Sequence, residues 1–233
     1  MARRRAKIVI VEGMSDETSL SIYFGRYFAE KNIYFILLRS NILSNVYGDT
    51  AKSNIITDLH ALITSYLENN RYIKLTYIDE IIQVVDTDGM FIDDINIIEN
   101  KNINKVQYTI DNIITSNKIG FQNLNCNKRR NIEKLLGKRS LAFEKQEIPY
   151  SIYFMSRNLE HVLHNKTENL VDDEKSKLSY EFANRYNDIK NFITFITESD
   201  FCLIKGYKES WEFIQKDANS LKRYTNIGLI FKG

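Results

Sequence analysis

The chain has 233 residues, 43% hydrophobic and 12% aromatic, enough apolar surface to build a core and to exclude global disorder. Its 32 basic and 30 acidic residues leave a formal net charge of +2, so a nucleic-acid argument has to rest on local clusters. Two cysteines, Cys126 and Cys202, lie far apart in no C-x-x-C pair, which excludes a disulfide framework or a cysteine-built zinc site.

The basic start MARRRAK is followed by too few apolar residues for a secretory signal, and no run approaches the roughly 20 apolar residues of a membrane span. A cytoplasmic protein with no membrane partner is expected. The apolar run at 7–11 predicts a central parallel strand. Ser15 is a good N-cap for a helix to about residue 31, with Leu20, Phe24 and Phe28 on one face. Residues 33–38 predict a second strand and 39–53 a polar loop. Residues 54–70 carry Ile55, Leu59, Leu62, Ile63 and Tyr66 at helical spacing. Residues 81–85 predict a third strand, running into Asp86-Thr87-Asp88-Gly89, so 1–90 reads as β-α-β-α-β. Beyond it, VQYTIDNIITS within 100–121 suggests an extended hairpin. Residues 127–136 predict a basic helix, 150–155 a fourth strand, and SRNLEHVLHN a helix start. Helices are expected over 178–197 and 207–224, with a polar break near 198–206. No internal repeat or low-complexity tract is evident.

VIVEG and VVDTDG follow one logic: apolar strand, carboxylate, glycine. In a parallel sheet both ends fall at the same edge, where α/β proteins bind ligands. Asp86 and Asp88, two apart, share one side of an extended stretch. Glu12 beside them would make three carboxylates at one spot, which calls for a cation, and a hard divalent ion with oxygen ligands suits that need. Each acid also has a simpler reading. Asp16 and Glu17 complement a helix dipole in its first turn, and Glu160 does the same in its own helix. Asp-Thr-Asp-Gly has the composition of a turn.

Together, VEGMSDE and VVDTDG resemble the TOPRIM superfamily, the acidic α/β domain of topoisomerases, bacterial primases, recombination proteins and OLD-family nucleases. Glu12-Gly13 and Asp86-x-Asp88 match its two motifs residue by residue. Asp16 looks like the further acid of OLD-type nucleases. YFMSRNLEHVL is similar to a later strand-and-helix element of OLD-like and PARIS-type defence nucleases, with Glu160 as the matching acid. The resemblance covers residues 7 to about 90, and extends more loosely to about 165. It implies a TOPRIM-like Rossmannoid core with a mostly parallel sheet flanked by helices. The catalytic domain would span 1–165, with a helical C-terminal extension at 166–233. It further implies Mg²⁺ or Mn²⁺ held by Glu12, Asp16, Asp86, Asp88 and Glu160, with Glu12, Asp86 and Asp88 catalytic. The implied activity is phosphodiester hydrolysis by the toxic effector of an anti-phage, abortive-infection system. RNA such as tRNA is favoured over DNA, a separate ATPase partner would restrain the enzyme, and the active form would be a homodimer. The rival reading is a non-catalytic nucleic-acid-binding or partner-assembly module.

Two basic clusters are candidates for steering a phosphate backbone: Arg3-Arg4-Arg5 with Lys7, and Lys128-Arg129-Arg130 extended by Lys134, Lys138 and Arg139. Such runs are also common as solvated surface charge. Lys52 and Arg157, near expected strand-end loops, are candidates for a cation that neutralises the transition state. His161 and His164 lie i, i+3 with no third strong ligand, and read as surface or core histidines. The segment around Gly48 and Lys52 lacks P-loop spacing, and no P-loop occurs elsewhere. The fourteen tyrosines scatter through core-like segments and form no evident stacking platform.

Overall fold

The computed structural model describes residues 5–47, 54–144 and 146–232. In chain order the elements are β1 (Ala6–Val11), α1 (Met14–Glu30), β2 (Tyr34–Arg39), α2 (Ile55–Asn69), β3 (Ile78–Asp86), β4 (Ile97–Glu99), β5 (Gln107–Tyr108) and β6 (Ile113–Thr115). They continue with α3 (Lys118–Leu136), β7 (Ser140–Phe143), β8 (Gln146–Met155), α4 (Leu159–His164), α5 (Asp172–Arg185), α6 (Ile189–Glu198) and α7 (Tyr207–Ile214). Short 3₁₀ turns fill several connections and close the chain at Ile227–Lys232. Among the described residues no helix is long and apolar enough to cross a membrane.

The chain divides into two compact units, Met1–Val84 with Arg130–Ile152, and Val85–Arg129 with Tyr153–Gly233. The first is built on a mostly parallel five-stranded sheet in the order β2-β1-β3-β8-β7, flanked by helices and compatible with a Rossmann-like core. β1 pairs in parallel with β2, Ile8 opposite Ile36, and with β3, Ile8 opposite Ile81 and Ile10 opposite Gln83. Consecutive residues Ile8, Val9 and Ile10 are all fully buried, as a strand covered on both faces requires. α1 buries Leu20, Tyr23, Phe24 and Phe28 at helical spacing, and Phe24 stacks on Phe28 with ring centroids 6.1 Å apart. Phe35 of β2 completes that aromatic packing. The Asn54 carboxamide caps α2 by accepting from the N–H groups of Ile56 and Thr57.

The second unit holds a small sheet, β4-β6-β5, with β4 and β6 parallel and β5 antiparallel to β6. The hairpin expected around 106–116 is this β5–β6 pair. Ile92, Ile97, Ile113, Ala218 and Leu221 form its core cluster. The regular elements after residue 165 are helices, α5, α6, α7 and the short 3₁₀ turns, joined by irregular stretches.

Local differences from the expected elements have local causes. α3 starts at Lys118, nine residues before the expected start; Asn117 accepts the Gly120 N–H at 2.9 Å and caps a polar first turn with little apolar periodicity. Residues 178–197 are not one helix, because Asp188 caps α6 by accepting from Lys190 N–H at 2.9 Å. α7 stops at Ile214, just before Asp217 takes a left-handed turn at φ +50°. β8 begins at Gln146, before the proline that breaks its sequence pattern, and Pro149 pairs opposite Ser140 of the unforeseen β7.

Candidate functional site at the Asp86–Asp88 turn

β3 ends at Asp86, and the turn that follows is fixed by its backbone. The N–H of Thr87 donates to Met155 C=O at 3.0 Å, and the N–H of Asp88 donates to Arg157 C=O at 2.9 Å. In return the Thr87 hydroxyl oxygen accepts the Arg157 N–H at 2.9 Å, while its proton goes to the Ser220 carbonyl at 3.2 Å. Thr87 is fully buried. This lacing joins the turn after β3 to the turn after β8. Asp88 and Arg157 both sit in the left-handed region, at φ +47° and +57°. Such a conformation costs a non-glycine residue about 1–2 kcal/mol, a strain that persists only where surroundings over-determine it.

Asp88 is backed by an unusual partner. Lys128 of α3 has a side chain only 2% exposed, with its ammonium 2.5 Å from Asp88 Oδ2, while the Asp88 side chain is 36% exposed. The carboxylate therefore faces solvent with a dry lysine behind it. A buried lysine is rare unless paired, so this pair is a built feature. Asn125, one turn earlier on α3, is buried with neither side-chain polar atom hydrogen-bonded.

Arg157 is also buried. Its guanidinium lies over the Tyr108 ring, 4.6 Å from the centroid, and one terminal nitrogen donates to Thr167 C=O at 2.5 Å. Nε has no hydrogen-bond partner. Burial pushes the Arg157 pKa down. Burial first, then the charge of Asp88, drives the Tyr108 phenol far up; Asp86 adds to this, and Arg157 and Lys128 oppose it. Tyr108 thus reports that Asp86, Asp88, Lys128 and Arg157 share one electrostatic neighbourhood.

The remaining candidates are placed differently. Glu12 follows β1 and is partly buried. Asp16 is buried in the first turn of α1, where its Oδ2 accepts the Gly13 N–H at 2.7 Å in a capping box. A Cβ on Gly13 would stand 2.9 Å from that oxygen, so glycine there lets the carboxylate reach the backbone. Glu160 is buried in α4, with Oε1 3.3 Å from the Lys175 ammonium of α5. Among the described residues no three His, Cys, Asp or Glu side chains stand together as a metal cage.

The basic candidates divide as well. Arg5 pairs with Asp79 at 2.5 Å. Arg3, Arg4 and Lys52 lie outside the described residues. Lys128, Arg129 and Arg130 do not share one helix face, because successive helical positions point about 100° apart. Lys128 faces inward to Asp88, Arg129 stands 3.9 Å from Asp94, and Arg130 is exposed. The Arg157 guanidinium is held by the Thr167 carbonyl and the Tyr108 ring. His161 is buried, its Nδ1 3.4 Å from Ser156 O, and burial, then Arg157, pushes its pKa down to about 4.

Sequence reasoning missed Thr87, Tyr108 and the inward Lys128. A signal for the last was present: Lys128, Asn131, Ile132 and Leu135 are spaced i, i+3, i+4, i+7, and all four are buried. Comparisons with protein-family models, with curated proteins and with solved structures find nothing that matches the chain.

Proposed function

We propose that the chain is a TOPRIM-like, divalent-metal-dependent phosphodiester hydrolase acting on nucleic acid. One observation carries the reading. β1 and β3 are parallel neighbours, Ile10 opposite Gln83, and each runs into acids at its carboxyl end: Glu12 after β1, Asp86 and then Asp88 after β3. Carboxyl strand ends are where sheets of this kind bind ligands.

The donor chemistry fits Mg²⁺ or Mn²⁺. Such an ion takes oxygen ligands and is commonly held by one or two protein carboxylates plus substrate phosphate, so Asp86 and Asp88 meet the minimum; Glu12 is added by the resemblance. When bound, the ion supplies an activated water and neutralises charge building on the phosphate. The chain's own residues shape the Asp86–Asp88 turn. Thr87 sets the turn, Lys128 holds Asp88, and Arg157 with Tyr108 packs beneath it. The resemblance adds RNA, tRNA among others, as the favoured substrate, and a defence role with a restraining ATPase partner.

A second reading, a non-catalytic nucleic-acid-binding or partner-assembly module, is favoured by one observation. Asp88 already has a counter-charge in Lys128.

The test is cleavage of end-labelled tRNA, other RNA and DNA by the purified chain under Mg²⁺ and Mn²⁺ titration, beside Glu12→Ala and Asp86→Ala. Cleavage should need the ion and fall by about 100-fold or more in each variant. Ion-dependent cleavage retained in both variants overturns the reading. A chain that binds no divalent ion but holds nucleic acid or a partner supports the module.

A further inference from the structure

A separate cavity lies within the second unit, among α4, α5, α6 and Arg223. Its volume is about 370 Å³, inside the range of roughly 300–1,000 Å³ usual for small-molecule pockets. One wall is aromatic. Phe182, Tyr186 and Phe195 form a mutually packed set, with centroids 4.6 Å apart for Phe182–Tyr186 and 4.7 Å for Tyr186–Phe195. Tyr186 and Phe195 are only partly buried, so ring surface is left facing the cavity.

The opposite chemistry is cationic. Arg223 donates from Nε at 2.9 Å and from a terminal nitrogen at 2.7 Å to the Val162 carbonyl, and its guanidinium lies 3.9 Å from the Phe201 ring centroid. That grip fixes the group, and Arg223 makes no ion pair among the described residues. Arg185, exposed in the last turn of α5, likewise makes no ion pair among the described residues. His164 lines the same space, and its buried Nε2 has no hydrogen-bond partner among the described residues. Burial holds its pKa below the usual value, so it offers a neutral hydrogen-bonding nitrogen. The one acid of the lining, Glu181, is exposed and 4.0 Å from Lys177.

A pre-set guanidinium with a second arginine in the same lining suits the oxygens of a phosphate. An aromatic wall suits a flat ring, since every base has a π-face to stack. Glu181 suits a ring edge that presents N–H donors, as guanine does. We propose that this cavity is a binding site for a purine nucleoside monophosphate, guanine favoured, distinct from the Asp86–Asp88 turn. The phosphate meets Arg223 and Arg185, the base lies against Tyr186 and Phe195, and Glu181 accepts from the base edge. The site gives the chain a small-molecule input that does not depend on the hydrolase reading.

The test is isothermal titration of the full chain, without divalent ion, with GMP, AMP, ribose 5-phosphate and inorganic phosphate. The same titrations are run on Asp86→Ala, Arg185→Gln, Glu181→Gln and Tyr186→Ala. GMP should bind the parent and Asp86→Ala alike, and at least about tenfold more tightly than ribose 5-phosphate or phosphate. Arg185→Gln, an exposed substitution, should weaken GMP about fivefold or more with an unchanged unfolding midpoint. Glu181→Gln should narrow the preference for GMP over AMP, and Tyr186→Ala should weaken both. Phosphate binding as tightly as GMP, no GMP binding at millimolar concentration, or indifference of GMP to Arg185→Gln in folded protein overturns the proposal. Loss of nuclease activity in other assays leaves it untouched, because binding is read without turnover.

Discussion

The backbone N–H of Asp88 donates to the carbonyl of Arg157 at 2.9 Å, and both residues occupy left-handed conformations. Two strand ends distant in sequence are thus locked to one another by main-chain groups. The side chains they carry are then aimed by the turn, and the strain is borne by the surrounding hydrogen bonds. Thr87 is the hinge of that arrangement, because its hydroxyl oxygen takes the Arg157 N–H and its proton satisfies Ser220.

Thr87→Val keeps the shape and removes both hydrogen bonds. The Arg157 N–H and Ser220 carbonyl are then left unpaired in a dry site, at a cost of about 1–3 kcal/mol. Thr87→Ser keeps the hydroxyl and loses only a methyl, a loss of about 1 kcal/mol or less. Urea unfolding of the two variants should show valine clearly the less stable. Equal midpoints would mean that the hydroxyl does not hold the turn.

Lys128 and Asp88 should be strongly coupled. Removing one partner of a fully buried pair costs roughly 3–5 kcal/mol, but Asp88 is one-third exposed and stays partly hydrated, so about 1–2 kcal/mol is expected for Lys128→Met. Asp88→Asn removes the charge that the buried ammonium faces, and should destabilise the chain as well. The double variant should recover part of the loss. A double-mutant cycle that sums to zero would show that the short contact contributes nothing.

Gly89→Ala tests the other side of the same turn. Gly89 has φ +69°, and a Cβ there would stand 2.5 Å from Leu221 Cδ2 and 2.8 Å from Ile113 Cδ1. Both neighbours belong to the core cluster with Ile92 and Ile97, so neither can swing into solvent. Left-handed strain and overpacking together should cost about 2–4 kcal/mol by chemical denaturation. A loss under 1 kcal/mol would show that the cluster repacks freely.

The alternation of apolar strands with amphipathic helices over the first ninety residues was legible because local periodicity and burial agree there. β1, α1, β2, α2 and β3 each carry their own pattern. Asp86-Thr87-Asp88-Gly89 was legible as a strand-end turn for the same reason. The inward Lys128 was not, because charge outweighs position when a helix is read as a string: its apolar neighbours Ile132 and Leu135 marked the buried stripe on which it lies. β7 and the start of β8 escaped notice because Pro149 interrupts an otherwise good strand. Tyr108 escaped because only tertiary packing brings it under Arg157.

The buried histidine of α4 gives the fold a pH signature. His161 has its pKa pushed down to about 4 in the folded chain, chiefly by burial, against about 6.5 when unfolded. Between those values the unfolded state binds the extra proton and the folded state does not. Stability is therefore complete above pH 6.5 and falls as pH drops toward 4, with a limiting slope of about 1.4 kcal/mol per unit for this one group. His164, shifted in the same direction by burial, adds to the slope. Carboxylates titrate in the lower part of the window, so the informative quantity is the difference between the parent and His161→Gln. Glutamine cannot take up the proton, and its urea midpoint should decline less steeply from pH 6.5 to 4.5. The variant itself loses some stability at pH 7 because it repacks a buried ring, and that offset should shrink as the medium is acidified. Parallel pH profiles for parent and variant would show that His161 ionises as easily in the folded chain as in the unfolded one, and would overturn the depressed pKa.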